Sequence, residues 1–409
     1  MTFLAVAICV AILLSAAIGV YLRRRQIACV AAHREAVPAD FAGAVTLEDH
    51  RRAADYTMAR ARLSIAETIF DALASLAFLL LLLGPLYAVI AHVTQEGPTR
   101  GVALVVAFAA IGNLLDLPFS LAETFGLEAR FGFNRTSLRA FFLDRAKSCA
   151  LQAAIGVPLL FAMFALLRAL PDTWWLFAYL GFLAFVIAMT MIYPTFIAPL
   201  FNKFTPLPEG AMRSRLEALL KKCGFEAKGL YVMDASTRSA RGNAYFTGFG
   251  KAKRIVFFDT LLEKHSPDEI ESILAHELGH FKHGHIRQMI ALSAAIAFIG
   301  FAFLYWAFAP GGLASQFGLP DDPGLALVVA LLAKEPALHL LSPLLAWRSR
   351  HAEFEADDFA KDMAGGAPMI SALTRLTRDN LATLTPDNLY AAFYYSHPPV
   401  PVRIAHLRG

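Results

Sequence analysis

Apolar residues run almost unbroken from 2 to 22, and Arg23, Arg24 and Arg25 follow at once. As a helix, a run of that length crosses a hydrocarbon core of ~30 Å. Further apolar runs at 69–91, 102–122, 149–168, 174–197, 288–308 and 324–346 predict seven spans in all. A cleavable leader carries its positive charge ahead of the apolar run, and here nothing basic precedes it, so the first run is expected to be a retained anchor with its N-terminus outside. Lys and Arg should collect on the cytoplasmic side of alternate spans. The stretch 23–65 holds eight arginines and 123–147 holds Arg130, Arg135, Arg139, Arg145 and Lys147, whereas 92–101 has only Arg100 and 309–323 has no basic residue. That alternation places 198–287 and 347–409 in the cytoplasm. Trp174, Trp175 and Trp306 fall near outer span ends and Trp347 near an inner one, as interfacial rings tend to.

Some spans are interrupted: Asn113, Asp116 and Pro118 in the third, Pro194 and Pro199 at the end of the fifth, Lys334, Glu335 and His339 in the seventh. Charge at membrane depth is costly, so these residues should face a wet cavity or satisfy one another inside the bundle.

Between 198 and 287 the pattern becomes globular. Arg213–Lys222 reads as an amphipathic helix ended by Cys223-Gly224. Leu230–Met233, Ala244–Thr247 and Arg254–Asp259 read as short strands, with Gly248 and Gly250 turning the second into the third. A helix then starts with Ser266 as N-cap, Pro267 at its first position and Glu269 closing a capping box. Ile270, Ile273, Leu274, Leu278 and Phe281 give that helix one apolar stripe. The expected fold is mostly α: a polytopic membrane protein of seven transmembrane helices with a small cytoplasmic α/β region. Its parts are 1–197 with five spans, 198–287, 288–346 with two further spans, and 347–409.

Composition agrees, since 57% of residues are hydrophobic, above the ~45–50% of soluble domains. The net charge of +4 is small and its basic residues lie in loops, which gives no reason to expect nucleic acid. Cys9, Cys29, Cys149 and Cys223 have neither metal spacing nor a disulfide pattern.

The opposite flank of the striped helix carries His276-Glu277-Leu278-Gly279-His280. Residues four apart share a helix face, so both imidazoles can reach one zinc ion with Glu277 beside them as general base. A catalytic zinc needs a third protein ligand. A third histidine ten residues after the first, with a glycine between, is absent: those positions are Ile286 and His283. His283 and His285 read as surface or outer-sphere residues. In His351-Ala352-Glu353-Phe354-Glu355-Ala356-Asp357, Glu353 could ligate while Asp357, four residues on, accepts the second ring hydrogen of a ligand histidine. Glu355 lies on another side. Alone, this stretch reads as an acidic surface helix beside Arg348 and Arg350; paired with the two histidines it completes a site. One zinc ion in such a site lowers the pKa of its water to ~7 and polarises a carbonyl, chemistry suited to hydrolysing peptides without a side-chain nucleophile.

The sequence resembles the type I CAAX prenyl endopeptidases, integral-membrane zinc metallopeptidases. The resemblance runs through Leu117-Pro118-Phe119-Ser120, Gly132-Phe133-Asn134, Ile197–Gly210, Asn243–Phe246, Lys253–Leu262, His276–His280, Glu353–Asp357 and Ser396-His397-Pro398-Pro399. It is similar, more distantly, to bacterial heat-shock membrane metallopeptidases. The resemblance implies removal of the C-terminal tripeptide from prenylated proteins and a large intramembrane chamber. It also implies that Asn243 and Ala244 bind substrate by strand addition, that His397 stabilises the oxyanion, and that Arg403 supports the site.

Two departures from the family pattern stand out: Arg241-Gly242 precedes Asn243, where His or Ser is common, and Glu355 stands where glutamine is common. The chain ends without a dilysine retrieval signal, so a bacterial plasma membrane is the expected setting, or the endoplasmic reticulum if the source is eukaryotic. The competing readings are a broad quality-control protease of membrane proteins and a transporter or lipid-binding protein with structural zinc.

Overall fold

Seven helices are long and apolar enough to cross a membrane. The structure is a computed structural model and describes residues 1–225, 229–247 and 254–409; Gly248 and Gly250 lie outside the described residues. The first helix, α1 (Phe3–His33), and the second, α2 (Leu47–Ala77), pack side by side over much of their length. α2 passes through a wide π turn at Phe78–Leu82 into α3 (Leu83–Val93). Then come α4 (Pro98–Leu121), with a π segment Ala122–Glu128, α5 (Leu138–Ala169), and α6 (Trp174–Ile192), with a π segment Tyr193–Ile197.

Hydropathy marked where spans leave the hydrocarbon but not where helices stop. α1 continues through Arg23–Arg25 to His33, and α2 begins at Leu47, capped by Thr46 Oγ1, which accepts from the Asp49 N–H at 3.1 Å. Most of the basic 23–65 stretch is therefore helix rather than loop. Its charges hold the pair together: Arg34 donates to both oxygens of Asp55 at 2.8 and 2.7 Å, and Arg23 Nε to Ser64 Oγ at 2.8 Å.

The globular part opens on a strand the alternation did not reveal, β1 (Phe204–Pro206), followed by α7 (Ala211–Lys222), β2 (Gly229–Met233), β3 (Ala244–Thr247) and β4 (Arg254–Phe258). Three residues are too few to show a period. The sheet order is β1-β2-β4-β3; β2 and β4 are parallel, with Leu230 opposite Ile255, and the other pairs are antiparallel. Asp259, expected to end the third predicted strand, instead starts α8 (Asp259–Lys264), and its Oδ1 accepts the Ser236 N–H at 2.9 Å. α9 (Pro267–Lys282) carries the two histidines and α10 (His285–Ala307) returns to the bundle.

α11 (Pro323–Ala364) is the longest helix, with 42 residues, about 63 Å at 1.5 Å per residue. Its first half is the seventh predicted span, and it runs on unbroken past Trp347 into the globular part. α12 (Gly366–Asp379), α13 (Asn388–Tyr394) and α14 (Val400–Arg408) complete the chain. One core joins Leu216 and Leu220 of α7, Ile255 and Phe257 of β4, Ile270, Leu274 and Leu278 of α9, and Leu373 of α12. Burying such side chains contributes roughly 1.5–3 kcal/mol each and anchors α9 by its apolar face.

Within the bundle, a cavity of about 480 Å³ is lined by Asp71, Asp116, Glu335, His339 and Arg23 among apolar side chains, and by Tyr394 of α13. Asp116, Glu335 and His339 thus face a cavity, as their cost in lipid requires. Lys334 lies 3.5 Å from Glu335 and Asn113 donates to Ala109 O of its own helix, but these contacts are exposed rather than inside the bundle.

Candidate active site

α9 begins as its sequence dictates. Ser266 Oγ accepts the Glu269 N–H at 3.3 Å and Glu269 Oε2 accepts the Ser266 N–H at 2.8 Å. Glu269 is almost wholly buried and also takes Ser371 Oγ–H at 2.6 Å and Arg375 Nε–H at 3.2 Å from α12. Burial alone would raise its carboxyl pKa, but these donors outweigh burial and hold it below the ordinary value. The capping box therefore also bolts α9 to α12.

The opposite end of α9 meets α11. A Cβ on Gly279 would lie 2.8 Å from Ala356 Cα, so the two backbones touch and only glycine permits it. This contact brings His276 and His280 to Glu353. His276 Nε2 and His280 Nε2 are 3.2 Å apart; Glu353 Oε2 is 3.4 Å from the first and Oε1 3.3 Å from the second. Glu353 is 3% exposed, and its Oε2 is buried without a hydrogen bond. His397 Nδ1 approaches that oxygen to 2.8 Å, but without the alignment of a hydrogen bond. Two facing imidazole nitrogens and a buried carboxylate oxygen, all within 4.8 Å of one another, form a donor set that fits a divalent metal.

The outer partners differ between the two histidines. His276 Nδ1 lies 2.9 Å from Asp357 Oδ1, and Asp357 is 0% exposed. Arg403 grips the same carboxylate at 2.8 and 2.5 Å and reaches Glu353 Oε2 at 3.5 Å. Burial opposes the Arg403 charge, and the Asp357 contact overcomes it, so that the guanidinium pKa is raised. His280 Nδ1 instead meets His285 Nδ1 at 3.0 Å, and His285 Nε2 lies 2.7 Å from Glu355 Oε2. If His280 ligates through Nε2, its Nδ1 carries the proton, His285 Nδ1 accepts it, and His285 Nε2–H donates to Glu355.

His285 therefore contacts a candidate ligand rather than joining the three-residue cluster, the position an outer-sphere residue would take. Glu355, set aside as facing elsewhere, is tied to the site through it. The missed signal was Gly284: its left-handed φ of 69° ends α9 and turns His285 back toward His280. His283 ends α9 and stacks on the His285 ring at 5.7 Å.

Glu277 follows His276 on α9. Burial raises its carboxyl pKa against the opposing pull of the neighbouring imidazoles, a direction that suits a proton acceptor working near neutrality. Asn243 precedes β3, an edge strand of the sheet, and its Oδ1 accepts the Ala244 N–H at 2.9 Å while its carbonyl accepts the Phe258 N–H at 3.0 Å. The other edge of Ala244–Thr247 pairs with no strand among the described residues. Just upstream, Arg241 pairs with Glu128 at 2.9 Å and sits over the Phe133 ring at 4.3 Å, and the Asn380 side chain brackets both backbone groups of Gly242. The departure at 241–242 is thus taken up by anchoring of the strand.

Residues 26–203 match the model of the CAAX prenyl protease N-terminal domain with five membrane helices, and residues 206–409 match peptidase family M48. The CAAX prenyl protease 1 homolog of Oryza sativa is 40% identical over 72% of this chain and 70% of its own. CAAX prenyl protease 1 of Saccharomyces cerevisiae is 32% identical over 88% and 86%. The chain belongs to peptidase family M48, with the CAAX prenyl protease 1 proteins. The crystal structure of S. mikatae Ste24p superposes with a TM-score of 0.90 at 27% identity, covering 100% of this chain and 99% of that one. This M48 member is an integral, multi-pass membrane metalloendopeptidase, and these relatives leave the transporter reading without support.

Proposed function

We propose that this chain is a zinc endopeptidase that acts at the cytoplasmic face and removes C-terminal peptides from prenylated CAAX proteins. His276, His280 and Glu353 hold the metal, and the observation that carries this is the convergence of two imidazole nitrogens and a buried Glu353 carboxylate oxygen to within 4.8 Å of one another. When bound, zinc supplies Lewis-acid polarisation of the scissile carbonyl and of the attacking water. Glu277 takes the proton from that water and hands it to the leaving amine. Asp357 fixes the His276 ring, and Arg403 holds Asp357 in place. His397 donates to the oxyanion as the carbonyl becomes tetrahedral. Asn243 and Ala244, at the start of β3 on the edge that pairs with no strand among the described residues, pair with the substrate backbone, a mode that reads main chain more than side chain.

The prenyl preference is supported by the names of the relatives and by the intramembrane cavity, whose wall includes Tyr394, three residues before His397. The test is cleavage of one CAAX peptide with and without its prenyl chain. At least a tenfold advantage in kcat/KM for the prenylated form is expected; equal rates would instead mark a broad membrane protease.

A further inference from the structure

His397 is exposed, in a loop of five residues (395–399) between α13 and α14. Little packing aims an exposed ring; beyond the 2.8 Å approach of His397 Nδ1 to Glu353 Oε2, its position depends on how the loop ends are held. The C-terminal end is held from α11 through Arg403, on α14, and Asp357. The N-terminal end is held from the same helix by Arg350. Its Nη1 donates to the carbonyls of Ala391 at 3.3 Å, Ala392 at 3.2 Å and Tyr395 at 2.9 Å.

Ala391 and Ala392 are in the last turn of α13 and Tyr395 is the residue that caps it, where the helix dipole favours a cation; Ala391 O also accepts the Tyr395 N–H at 3.0 Å, so Arg350 is a second donor there. Among the described residues no carboxylate pairs with Arg350. An arginine whose described hydrogen bonds all go to three main-chain oxygens fixes backbone rather than neutralising charge. Arg350 also lies three residues before Glu353, on the same side of α11. The His397 loop is therefore tied to α11, the helix that carries the third ligand, at both ends: before it by Arg350 of α11 gripping α13, and after it by Arg403 of α14 gripping Asp357 of α11.

We propose that Arg350 is a positioning residue for His397: it sets the oxyanion donor at a fixed distance from Glu353 by capping α13 from α11. This rests on the reading of His397 as oxyanion donor, and the test separates the two.

The experiment uses the full chain in detergent and a farnesylated CAAX reporter peptide, with R350A, R350K, H397A and R350A/H397A compared for kcat, KM, bound zinc and thermal midpoint. H397A is expected to lower kcat about 100-fold, the usual order for losing an oxyanion donor. R350A is expected to lower kcat at least tenfold with KM and zinc unchanged, yet less than twofold in the H397A background, because the residue it aims has gone. R350K keeps one charged donor without the planar fork and should fall between R350A and the parent. Equal losses from R350A in both backgrounds, or a fall in zinc and midpoint that tracks the fall in kcat, would overturn the proposal while leaving His397 in place. An unchanged kcat in H397A would overturn the oxyanion reading and this proposal with it. If R350A does not fold, R350K in the two backgrounds decides by the same comparison.

Discussion

Glu277 is the residue whose loss separates chemistry from assembly. Its carboxyl does not enter the His276, His280 and Glu353 triangle, so Glu277→Ala should leave the metal bound while kcat falls at least ~10²–10⁴-fold, the range for losing a general base. Metal analysis beside a peptide assay checks this; loss of metal in the mutant would contradict it. The two outer partners are not equivalent. Asp357 is 0% exposed whereas the Glu355 side chain is 56% exposed, so water can replace Glu355 but not Asp357. Asp357→Ala is expected to weaken zinc binding about 10–100-fold. His285→Ala and Glu355→Gln are expected to weaken it less, as competition with a chromogenic chelator would show. His276, Glu277 and His280 were legible because a helix of known period displays them together. Glu355 was not, because its partner reaches it through a turn whose φ no spacing rule encodes.

Among elements, the contact of α9 with α11 governs the site. Gly279→Ala would place a methyl 2.8 Å from Ala356 Cα, and the helices must part. Lower zinc affinity and activity are expected from this substitution, with little change from Ala→Gly at position 356, which lies on the same contact but adds no atom. The capping box was visible in Ser266-Pro267-Asp268-Glu269, but the second use of Glu269, against Ser371 and Arg375, needed α12 in place. That use has a pH signature. The carboxyl pKa is depressed in the fold relative to its ordinary 4.5, so the stability it contributes is complete above 4.5 and is lost as pH falls through the folded value. The thermal midpoint of the parent should therefore drop more steeply than that of Glu269→Gln as pH falls from 5 to 3, measured at one scan rate. Parallel slopes would remove the carboxylate from this role.

For the whole molecule, a membrane bundle and a protease sheet share one helix. α11 begins as a span and ends by delivering Glu353 and Asp357, so chelation should loosen the globular part while the bundle stays folded. Limited proteolysis after EDTA treatment is expected to cut near 347–409 first and to be reversed by added zinc. The seven spans, the start of α9 and both histidines followed from hydropathy and from the helical period, which are local properties of a chain in lipid or water. The link of His285 to Glu355, the close approach of Gly279 to Ala356 and the grip of Arg350 on α13 depend on residues tens of positions apart meeting in space. Backbone contact and hydrogen bonding act over a few ångströms regardless of separation along the chain, and so these features existed only once the helices had packed.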